Sequence, residues 1–412
     1  MNDRLKMQNN FVKLLNNTVV EWKALGEISK ISSGGTPKTN ISEYYGGDIP
    51  WLRTQEINFG NIWDTGVKIT EKGVKNSSAK WIPQNCVIIA MYGATVGKVG
   101  INKIPMTTNQ ACANINLDKN IADYSYIFHF LSNKYTYIKS LGAGSQTNIN
   151  AQIIKKIEIP IPPLHIQTEI ARILDTFAEL TAELTAELTA ELTIRKKQYN
   201  YYRDKLLSFK DDEVEWKALG EVGELIRGNG LQKKDFTETG IPAIHYGQIY
   251  TYYGTFATET KSFVSAELAK KLKKVGFGDV VITNTSENIE DVGKAVVYLG
   301  KRQAVTGGHA TIFKPNKNIL GKYFAYFTQT SMFANEKRKY AKGTKVIDVS
   351  ATDMSKIIIP IPPLKEQARI VEILDKFDTL TNSITEGLPR EIELRQKQYE
   401  YYRNLLLDFP KD

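Results

Sequence analysis

The sequence has few of the residues that build disulfide frameworks or metal centres. Its 412 residues include two cysteines, Cys86 and Cys112, which lie in one half of the chain and have no counterparts in the other half. The histidines are scattered without the spacing of metal ligands. They are His129, His165, His245 and His309. We therefore expect neither a disulfide framework nor a zinc site, and a chain that is reduced and cytoplasmic.

Long hydrophobic runs are also missing. The first ten residues, from Met1 to Asn10, are polar, and no later stretch approaches the ~18 uninterrupted apolar residues that a membrane span needs. The sequence therefore predicts neither a signal peptide nor a membrane span, and no membrane partner.

Enzyme motifs are incomplete wherever they begin. The run Gly93–Val99 looks phosphate-binding, but a P-loop needs four residues between its glycines and a Ser or Thr after the lysine. The runs Glu21–Lys23 and Glu215–Lys217 offer half of a nuclease metal site, and no Pro-Asp pair occurs to complete it. We expect these glutamates to lie at a packing junction instead. The chain also lacks the Asn-Pro-Pro-Tyr and Asp-Pro-Pro-Phe loops with which adenine methyltransferases hold a flipped base. We predict no catalytic and no metal-binding residues.

Positive charge is in excess. Lys and Arg outnumber Asp and Glu by 54 to 45, which gives a net charge of +9 and a pI near 9.1. Such a balance favours a polyanionic partner, such as nucleic acid. The hydrophobic share of 42% is enough for two ordinary cores.

The chain contains an internal duplication. Three segments recur in the same order, two of them letter for letter. They are Val20–Glu27 with Val214–Glu221, Ile159–Leu164 with Ile359–Leu364, and Arg195–Arg203 with Arg395–Arg403. The first pair is displaced by 194 residues and the other two by 200, so the second copy has six extra residues in its middle. Each copy is therefore a fixed frame around a variable centre.

The two centres match only in their apolar positions. Ile49–Ile57 aligns with Ile241–Ile249, where the apolar residues agree and the polar ones differ. This pattern predicts one fold with two different surfaces, which suits two readers of two different targets. The centres carry short strand-like runs separated by Gly, Asn and Pro, with helical stretches near 124–140 and 323–339, so we expect mixed α/β heads.

A long helix follows each head. After Pro162-Pro163, apolar residues recur at helical spacing from about Leu164 to Phe209, and no Gly or Pro interrupts them. About 40 helical residues would span ~60 Å, which suits a spacer or a partner-binding rod. The second copy runs from Leu364 to about Asp408, and Gly387 and Pro389 should kink or break it. The predicted spacer and partner-contact positions are Leu174, Phe177, Leu180, Leu184, Leu188, Leu192, Leu374, Phe377 and Leu380.

The first rod contains four Ala-Glu-Leu-Thr units, from Ala178 to Thr193. Four residues overshoot a helical turn, so the leucine column advances ~40° per unit. Adding or deleting one unit would change the length of the rod by ~6 Å and rotate the chain beyond it by ~40°. The alternative is a product of repeat slippage that the protein merely tolerates.

Polar loops after the predicted strands hold the candidate DNA contacts. Arg, Gln and Asn can make two hydrogen bonds to a base edge, whereas Lys, Ser, Thr and glycine amides suit phosphates. The candidates in the first head are Arg53, Thr54, Gln55, Tyr92, Lys98, Asn109 and Gln110. Those in the second head are His245, Tyr246, Gln248, Tyr250, Thr285, Ser286, Lys294 and His309.

These features together resemble the specificity subunits of type I restriction-modification enzymes. The resemblance covers essentially the whole chain and rests on the frames at 159–177 and 359–377, on the Arg-x-Lys-Gln-Tyr-x-Tyr-Tyr-Arg frames, and on the Thr-Ala-Glu-Leu units of 181–193, which are typical of type IC members. It implies an α/β (α+β) fold with two globular target-recognition domains joined by two long antiparallel helices, in a duplicated, pseudo-twofold arrangement. How the helices pair around Gly387 and Pro389 stays open. The implied segments are an N-terminal segment (1–19), target-recognition domain 1 (20–156), a central helical spacer (157–210), target-recognition domain 2 (211–356) and a C-terminal helical spacer (357–412).

The resemblance also implies a function. Each recognition domain would read one half of an asymmetric, interrupted target in double-stranded DNA. The helices would set the gap and dock two modification subunits, which bring S-adenosylmethionine and methylate adenine. Restriction and translocase subunits, with ATP and magnesium, would join them in host defence. The chain itself would bind no cofactor and catalyse nothing.

Two other functions stay open from the residues alone. One is a self-sufficient restriction and methylation enzyme, which methyl transfer by the purified chain would reveal. The other is a helical assembly scaffold whose basic heads bind nothing specific, for which scrambled and native DNA would compete equally.

Overall fold

The computed structural model describes residues 18–142, 148–383 and 386–410, and these form two compact units. Unit 1 comprises Met1–Leu184 and Arg395–Asp412, and unit 2 comprises Thr185–Leu394. Each unit therefore holds one head, the first part of the helical segment that follows it, and the last part of the other copy's helical segment. The domain boundaries at 157, 211 and 357 stay a prediction.

Unit 1 contains two larger sheets and one strand pair. Its strands are β1 (Glu21–Ala24), β2 (Ser29–Ser33), β3 (Tyr45–Leu52), β4 (Gly60–Ile62), β5 (Lys68–Ile69), β6 (Trp81–Ile82), β7 (Val87–Ala90), β8 (Val99–Asn102), β9 (Met106–Thr108), β10 (Cys112–Leu117) and β11 (Glu158–Ile161). One sheet has the strand order β2-β10-β7-β8-β4 and the other the order β5-β3-β9-β6, while β1 pairs with β11. Within the second sheet, β3 and β9 run parallel.

Unit 2 repeats this topology. Its strands are β12 (Glu215–Ala218), β13 (Gly223–Arg227), β14 (Ile241–Ile244), β15 (Phe256–Ala257), β16 (Ser262–Val264), β17 (Lys273–Val275), β18 (Val280–Thr283), β19 (Thr285–Ser286), β20 (Ala295–Tyr298), β21 (Ala304–Thr306), β22 (Ala310–Pro315), β23 (Ile347–Asp348) and β24 (Ile358–Ile361). The sheets have the orders β13-β22-β18-β20-β15 and β16-β14-β21-β17, and β12 pairs with β24. A further pair, β19 with β23, is added in this unit.

Short helices accompany the strands, and long ones follow each head. The helices are α1 (Glu71–Lys75), α2 (Tyr124–Asn133), α3 (Tyr135–Ser140), α4 (Ala151–Lys155), α5 (Leu164–Leu206), α6 (Tyr246–Thr251), α7 (Ala266–Lys271), α8 (Gly321–Phe327), α9 (Ser331–Arg338), α10 (Ala351–Met354), α11 (Leu364–Asn382) and α12 (Gly387–Leu407). The predicted helical stretches at 124–140 and 323–339 are thus each two consecutive helices, α2 with α3 and α8 with α9. The expected mixed α/β heads are present in both units.

The central strand of each five-stranded sheet is buried on both faces. Val87 and Ile89 of β7 pack in the cluster that includes the helices, whereas Ile88 and Ala90 pack in the cluster shared with the four-stranded sheet. Alternate residues of a strand point to opposite faces, so a strand covered on both sides is apolar throughout. The heads are therefore layered, with a helix layer on one side of the five-stranded sheet and a second sheet on the other.

The C-terminal residues of the chain complete the core of unit 1. Tyr402 and Leu406 of α12 are buried in the same cluster as Tyr126 of α2 and Leu174 of α5. The indole nitrogen of Trp22 donates to the carbonyl oxygen of Pro410 at 3.2 Å. In unit 2 the corresponding core contains Tyr199 and Leu207 from the end of α5 and its exit, packed with Leu374 of α11.

The strand pairs at the base of each head explain the repeated Glu-Trp-Lys runs. Glu21 lies opposite Ile161, and Glu215 lies opposite Ile361. Each glutamate pairs with the lysine two residues later, Lys23 at 2.8 Å and Lys217 at 2.6 Å. The prediction that these glutamates lie at a packing junction is wrong, because their side chains are 68% and 71% exposed and the strand pair packs through neighbours such as Trp22. The described residues contain no cluster of three or more His, Cys, Asp or Glu that could hold a metal ion.

One buried glutamine fixes the start of each helical segment that follows a head. The amide nitrogen of Gln167 donates to the carbonyl oxygens of Ile121 and Pro162, at 2.9 and 2.8 Å. The amide nitrogen of Gln367 donates in the same way to Asn318 and Pro362, at 2.9 and 2.8 Å. Because a buried amide needs partners, these bonds fix each helix to its own head.

The two long helices differ, as the sequence predicts. Helix α5 is continuous over 43 residues, about 65 Å at 1.5 Å per residue. In the second copy, α11 ends at Asn382 and α12 begins at Gly387, which has a φ of +76°. The break precedes Pro389, which lies in the first turn of α12, where its missing N–H costs no helical hydrogen bond. The predicted break is therefore present, and Gly387 rather than Pro389 marks it.

None of the helices in the described residues has both the length and the apolar character that crossing a membrane requires.

Candidate nucleic-acid interface

In unit 2, three strand ends bring most of the predicted contacts together. Strands β14 and β21 are parallel, with Ile244 opposite Thr306, so the residues that follow them emerge at one edge. The backbone nitrogen of Asn284, just after β18, donates to the carbonyl oxygen of His309 at 2.9 Å. The loops after β14, β18 and β21 are therefore neighbours.

Aromatic rings and hydrogen bonds connect these loops. The ring of Tyr246 lies between those of His245 and His309, with centroid distances of 4.5 and 4.9 Å. The hydroxyl of Thr285 lies 3.0 Å from Nδ1 of His309, and the hydroxyl of Tyr250 donates to the carbonyl oxygen of Thr285 at 2.6 Å. We call this group the unit 2 cluster; its members are His245, Tyr246, Tyr250, Thr285, Lys294 and His309. Lys294 joins it because its ammonium lies 5.8 Å from the centre of the Tyr250 ring.

The members of the unit 2 cluster differ in exposure. His309 and Lys294 are exposed, whereas His245 is only 5% exposed and lies beside the Tyr246 ring. Burial, then the charge of Lys233, lowers the pKa of His245, so its imidazole is neutral at pH 7. Its Nδ1 accepts a hydrogen bond from the backbone of Gly247 at 3.2 Å, which leaves the proton on Nε2. His245 is therefore a buried, neutral member of the cluster that packs against the Tyr246 ring.

Two other predicted residues of unit 2, Gln248 and Ser286, have contacts with residues that are not in the cluster. The amide nitrogen of Gln248 donates to the hydroxyl of Ser262 at 2.5 Å, so this end of the amide is engaged within the protein. Ser286 is part of β19 and lies opposite Ile347 of β23.

In unit 1 the equivalent edge carries a different set of groups. Arg53 occupies the position directly after β3 that His245 occupies after β14. Its Nε donates to Oε1 of Glu56 at 3.2 Å, and Oε2 of Glu56 accepts from the backbone of Gly66 at 2.7 Å. Glu56 therefore holds the guanidinium in place while Arg53 stays partly exposed.

Hydrogen bonds connect the loops that carry other predicted residues of unit 1 to the segment around Arg53. The hydroxyl of Thr95 donates to the carbonyl oxygen of Thr54 at 2.9 Å, which joins the Tyr92 loop to the Arg53 loop. The backbone nitrogen of Asn109 donates to the carbonyl oxygen of Leu52 at 2.9 Å. Gln55 and Tyr92 are exposed. Thr54 is buried, and its carbonyl oxygen accepts the hydrogen bond from Thr95.

Lys98 and Gln110 have partners outside this group. The ammonium of Lys98 donates to Oδ1 of Asn58 at 2.8 Å and lies 5.9 Å from the centre of the Phe59 ring. The hydroxyl of Thr36 bonds Oε1 of Gln110.

Each unit also has a groove between its helical segments. In unit 1 the rings of Phe177 and Tyr402 are 5.5 Å apart, and in unit 2 those of Phe377 and Tyr202 are 5.6 Å apart. The unit 1 groove is lined by Phe177, Leu180, Thr181, Leu184, Arg395, Gln398, Tyr399 and Tyr402. The unit 2 groove is lined by Arg195, Gln198, Tyr202, Leu206, Ile373 and Phe377.

The predicted spacer positions separate into three classes. Leu174 and Leu374 are fully buried in the cores of their heads, so they attach each helix to its own head rather than face a partner. Leu180 is 55% exposed. The remaining positions are half-buried: Phe177, Leu184, Leu188, Leu192, Phe377 and Leu380.

Comparison with known proteins identifies the family. The protein-family model for the type I restriction modification DNA specificity domain matches residues 19–193 and again residues 211–394 of the sequence. The chain belongs to the type I restriction-modification specificity family.

Relatives of this family match over nearly their whole length. The chain is 36% identical to the specificity subunit of the type I restriction enzyme EcoR124I/EcoR124II from Escherichia coli, over 97% of this chain and 96% of the relative. It is 34% identical to a putative type I restriction enzyme specificity subunit, S.HindORF215P, from Haemophilus influenzae, over 96% of this chain and 97% of the relative.

Solved structures show the same fold. A chain of a type I R-M system aligns with a TM-score of 0.66 at 19% identity, covering 94% of this chain and 97% of that one. The HsdS subunit from Thermoanaerobacter tengcongensis aligns with a TM-score of 0.54 at 19% identity, covering 94% and 95%. The predicted family and fold class are confirmed: this is a type I specificity subunit, a protein of DNA recognition, with two sheet-rich units joined by helices in a repeated arrangement.

Sequence reasoning missed several residues that lie beside the predicted contacts. Glu56 lies three residues after Arg53, and opposite charges at this spacing are a signal that the sequence offered. Phe59 adopts a φ of +53°, which nothing in its residue type predicts. Asn284 directly follows β18 and is fully buried, and Lys337 is buried against the loop that begins there. Both bond residues that are distant along the chain, which local sequence patterns do not reveal.

Proposed function

We propose that this chain is the DNA-reading subunit of a type I complex, in which the head of unit 1 reads one half of an interrupted target and the head of unit 2 reads the other. One observation carries the proposal: the two heads share a topology, but place different side chains at equivalent positions of the same edge. Arg53 in unit 1 corresponds to His245 in unit 2, each directly after a parallel strand. Equal scaffolds with unequal polar groups suit two different base sequences.

The chemistry of the two edges supports contact with DNA. Arg53 offers a guanidinium that Glu56 orients, and such a group can donate two hydrogen bonds to guanine. Lys294 and His309 offer exposed donors beside the Tyr246 and Tyr250 rings, which suits phosphate and base contact together. The net charge of +9 favours the same partner.

The helices are proposed to set the gap and to dock two modification subunits. Helix α5 has a continuous length that a spacer needs, and each unit carries a partly apolar groove of equivalent residues. An exposed apolar groove rimmed by Arg and Gln suits another protein. The modification subunits would supply S-adenosylmethionine, and restriction and translocase subunits would use ATP and magnesium. The chain itself would act without catalysis, in the cytoplasm.

The test is methylation-sensitive sequencing of DNA from cells that express this chain with its modification subunit. One interrupted motif with methyladenine in both halves would support the proposal and give the target and its gap together. A stable complex that methylates no motif would contradict it and favour the assembly scaffold. Methyl transfer by the purified chain alone would favour the self-sufficient enzyme.

A further inference from the structure

A buried lysine lies beneath one of the loops that carry predicted contacts in unit 2. Lys337, on α9, is only 5% exposed. Its ammonium donates to the carbonyl oxygens of Glu290 and Val292, at 2.9 and 2.6 Å. Burial lowers the pKa of Lys337 to about 8, which reflects the cost of placing a charge there. An ammonium persists in such a place when hydrogen bonds satisfy its donors, and both acceptors belong to a single loop.

That loop is longer than its counterpart in unit 1. The segment between β18 and β20 runs from 284 to 294, which is eleven residues, and the segment between β7 and β8 runs from 91 to 98, which is eight. The short loop is fixed directly to the reading edge, because the hydroxyl of Thr95 donates to the carbonyl oxygen of Thr54 at 2.9 Å. The longer loop carries Thr285 at its start and Lys294 at its end, and we call it the 284–294 loop.

The start of the 284–294 loop is fixed to the head without Lys337, because Thr285 and Ser286 form β19, which pairs with β23. The remainder of the loop has bonds within itself. The side-chain amide of Asn288 donates to Oδ2 of Asp291 at 2.8 Å, and Lys294 pairs with Oδ1 of Asp291 at 2.7 Å. Lys337 is different, because it reaches the loop from α9 and binds two of its carbonyl oxygens at once. It therefore connects the loop to the helix layer of the head.

The loop backbone at Gly293 also lies within van der Waals range of the lysine stem. Gly293 has a φ of +80°, and a Cβ atom placed there would lie 3.4 Å from Cδ of Lys337 and 3.4 Å from Cε1 of Phe333. The loop backbone thus rests on the aliphatic stem of the lysine while the ammonium binds the neighbouring carbonyl groups. The stem and the ammonium of Lys337 together fix the distance between this part of the loop and α9.

We propose that Lys337 is a positioning residue for DNA recognition by unit 2: it holds residues 290–292 of the 284–294 loop so that Lys294 faces the half-site that this head reads. The inference rests on the proposed function and adds a specificity determinant that does not itself touch DNA. Lys294 lies over Tyr250 and pairs with Asp291, which stands between the two residues that Lys337 binds. Displacement of this part of the loop would therefore move Lys294 within the unit 2 cluster.

The test compares the two half-sites in the same molecule. Lys337→Met keeps the length of the stem and removes the donors. The complex of this variant with its modification subunit is assayed for methylation of oligonucleotides that carry single changes in each half-site. We expect discrimination in the unit 2 half-site to fall about tenfold. Discrimination in the unit 1 half-site should change by less than about twofold, because that head is a separate core.

Two further variants control the result. Lys339→Met removes an ammonium from an exposed neighbour that pairs with Glu336, and it should leave both half-sites unchanged. Gly293→Ala keeps Lys337 but introduces a methyl group against its stem at a strained φ, so it should relax the unit 2 half-site as Lys337→Met does.

The outcomes separate the inference from the proposed function. If the wild-type complex methylates a two-part target and both Lys337→Met and Gly293→Ala read both halves normally, Lys337 has no positioning role. Equal loss at both half-sites would also overturn the inference. If Lys337→Met fails to fold, Gly293→Ala decides. If the wild-type complex methylates no two-part target, the proposed function fails, and the inference fails with it.

Discussion

Nε2 of His129 lies 2.8 Å from Oδ1 of Asp175, which joins helix α2 of the first head to the long helix α5. The corresponding aspartate of unit 2, Asp375, is bound instead by the hydroxyl of Tyr326 at 2.6 Å and the ammonium of Lys322 at 2.7 Å. Both copies thus fix an aspartate of the long helix to a helix of the head, with different chemical groups. The duplication has kept the attachment point while its side chains diverged.

Replacing Asp175 by alanine should destabilise unit 1. The imidazole of His129 is buried and would lose its partner, so we expect the free energy of unfolding to fall by ~1–3 kcal/mol, measured by denaturant titration. Glu169→Ala is the matched control, since Glu169 pairs with Arg172 in an exposed ion pair worth ~0–1 kcal/mol. Equal losses of unfolding free energy in the two variants would show that the His129 contact stabilises unit 1 no more than an exposed ion pair does.

The same contact should depend on pH. Burial acts to raise the pKa of Asp175, but hydrogen bonding and the charge of His129, followed by the Ser125 hydroxyl, lower it overall. A carboxyl group with a lowered pKa stabilises the fold above its ordinary pKa, and the contribution is lost as the pH falls through the lowered value. Wild type and Asp175→Ala should therefore converge in stability in acid, and a difference that stays constant as the pH falls would contradict this.

Leu406 should matter for unit 1 although it lies at the far end of the chain. Its side chain is fully buried in the core that includes Tyr126 and Leu174. We expect Leu406→Ala to cost ~2–5 kcal/mol, seen as faster hydrogen exchange in unit 1 while unit 2 is unaffected. Leu394→Ala, at a position 43% exposed on the same helix, should cost less than about 1 kcal/mol. Faster exchange in unit 2 rather than unit 1 would contradict the assignment of Leu406.

The sequence predicted the features that repeat or have a period. The helix from Leu164 was expected to end near Phe209 and ends at Leu206, because its apolar spacing is regular and no Gly or Pro interrupts it. The break in the second copy followed from Gly387, whose positive φ is a property of the residue type. The repeated segments are long enough to show a duplication, and the family followed from the resemblance of these frames and of the Thr-Ala-Glu-Leu units to type I specificity subunits.

The contacts that depend on distant pairing were not predictable. The duplication does not reveal that Leu406 returns to the first head, because the helical pattern is the same whichever core it enters. Thr285 and His309 meet because β22 pairs antiparallel with β18, with Ala310 opposite Thr283. Local spacing in the sequence does not predict which strands pair. Leu374 was predicted as a spacer position but is buried in its own head, because helical periodicity gives an apolar face without naming its neighbour.

Deleting one Ala-Glu-Leu-Thr unit, Ala186–Thr189, should shorten the gap of the target and leave both half-sites unchanged. The unit is one of four in an unbroken part of α5, so the helix should re-form about 6 Å shorter and rotated by about 40°. Sequencing of the methylated motif measures the gap. Replacing the same unit by four alanines keeps the length and should keep the gap. An unchanged gap after deletion would favour tolerated repeat slippage.

Arg53→Ala should relax one position of the half-site read by unit 1. Its guanidinium is held by Glu56, and loss of a two-bond contact to a base costs ~1–3 kcal/mol of discrimination. Glu56→Ala leaves the arginine but frees its orientation, so it should relax the same position to a smaller extent. Arg172→Ala, which removes the same charge from an exposed pair on α5, should leave discrimination unchanged. The measurement is methylation of oligonucleotides with single changes. A loss that is uniform across all of them would make Arg53 a phosphate contact, because contacts to phosphate carry no base information.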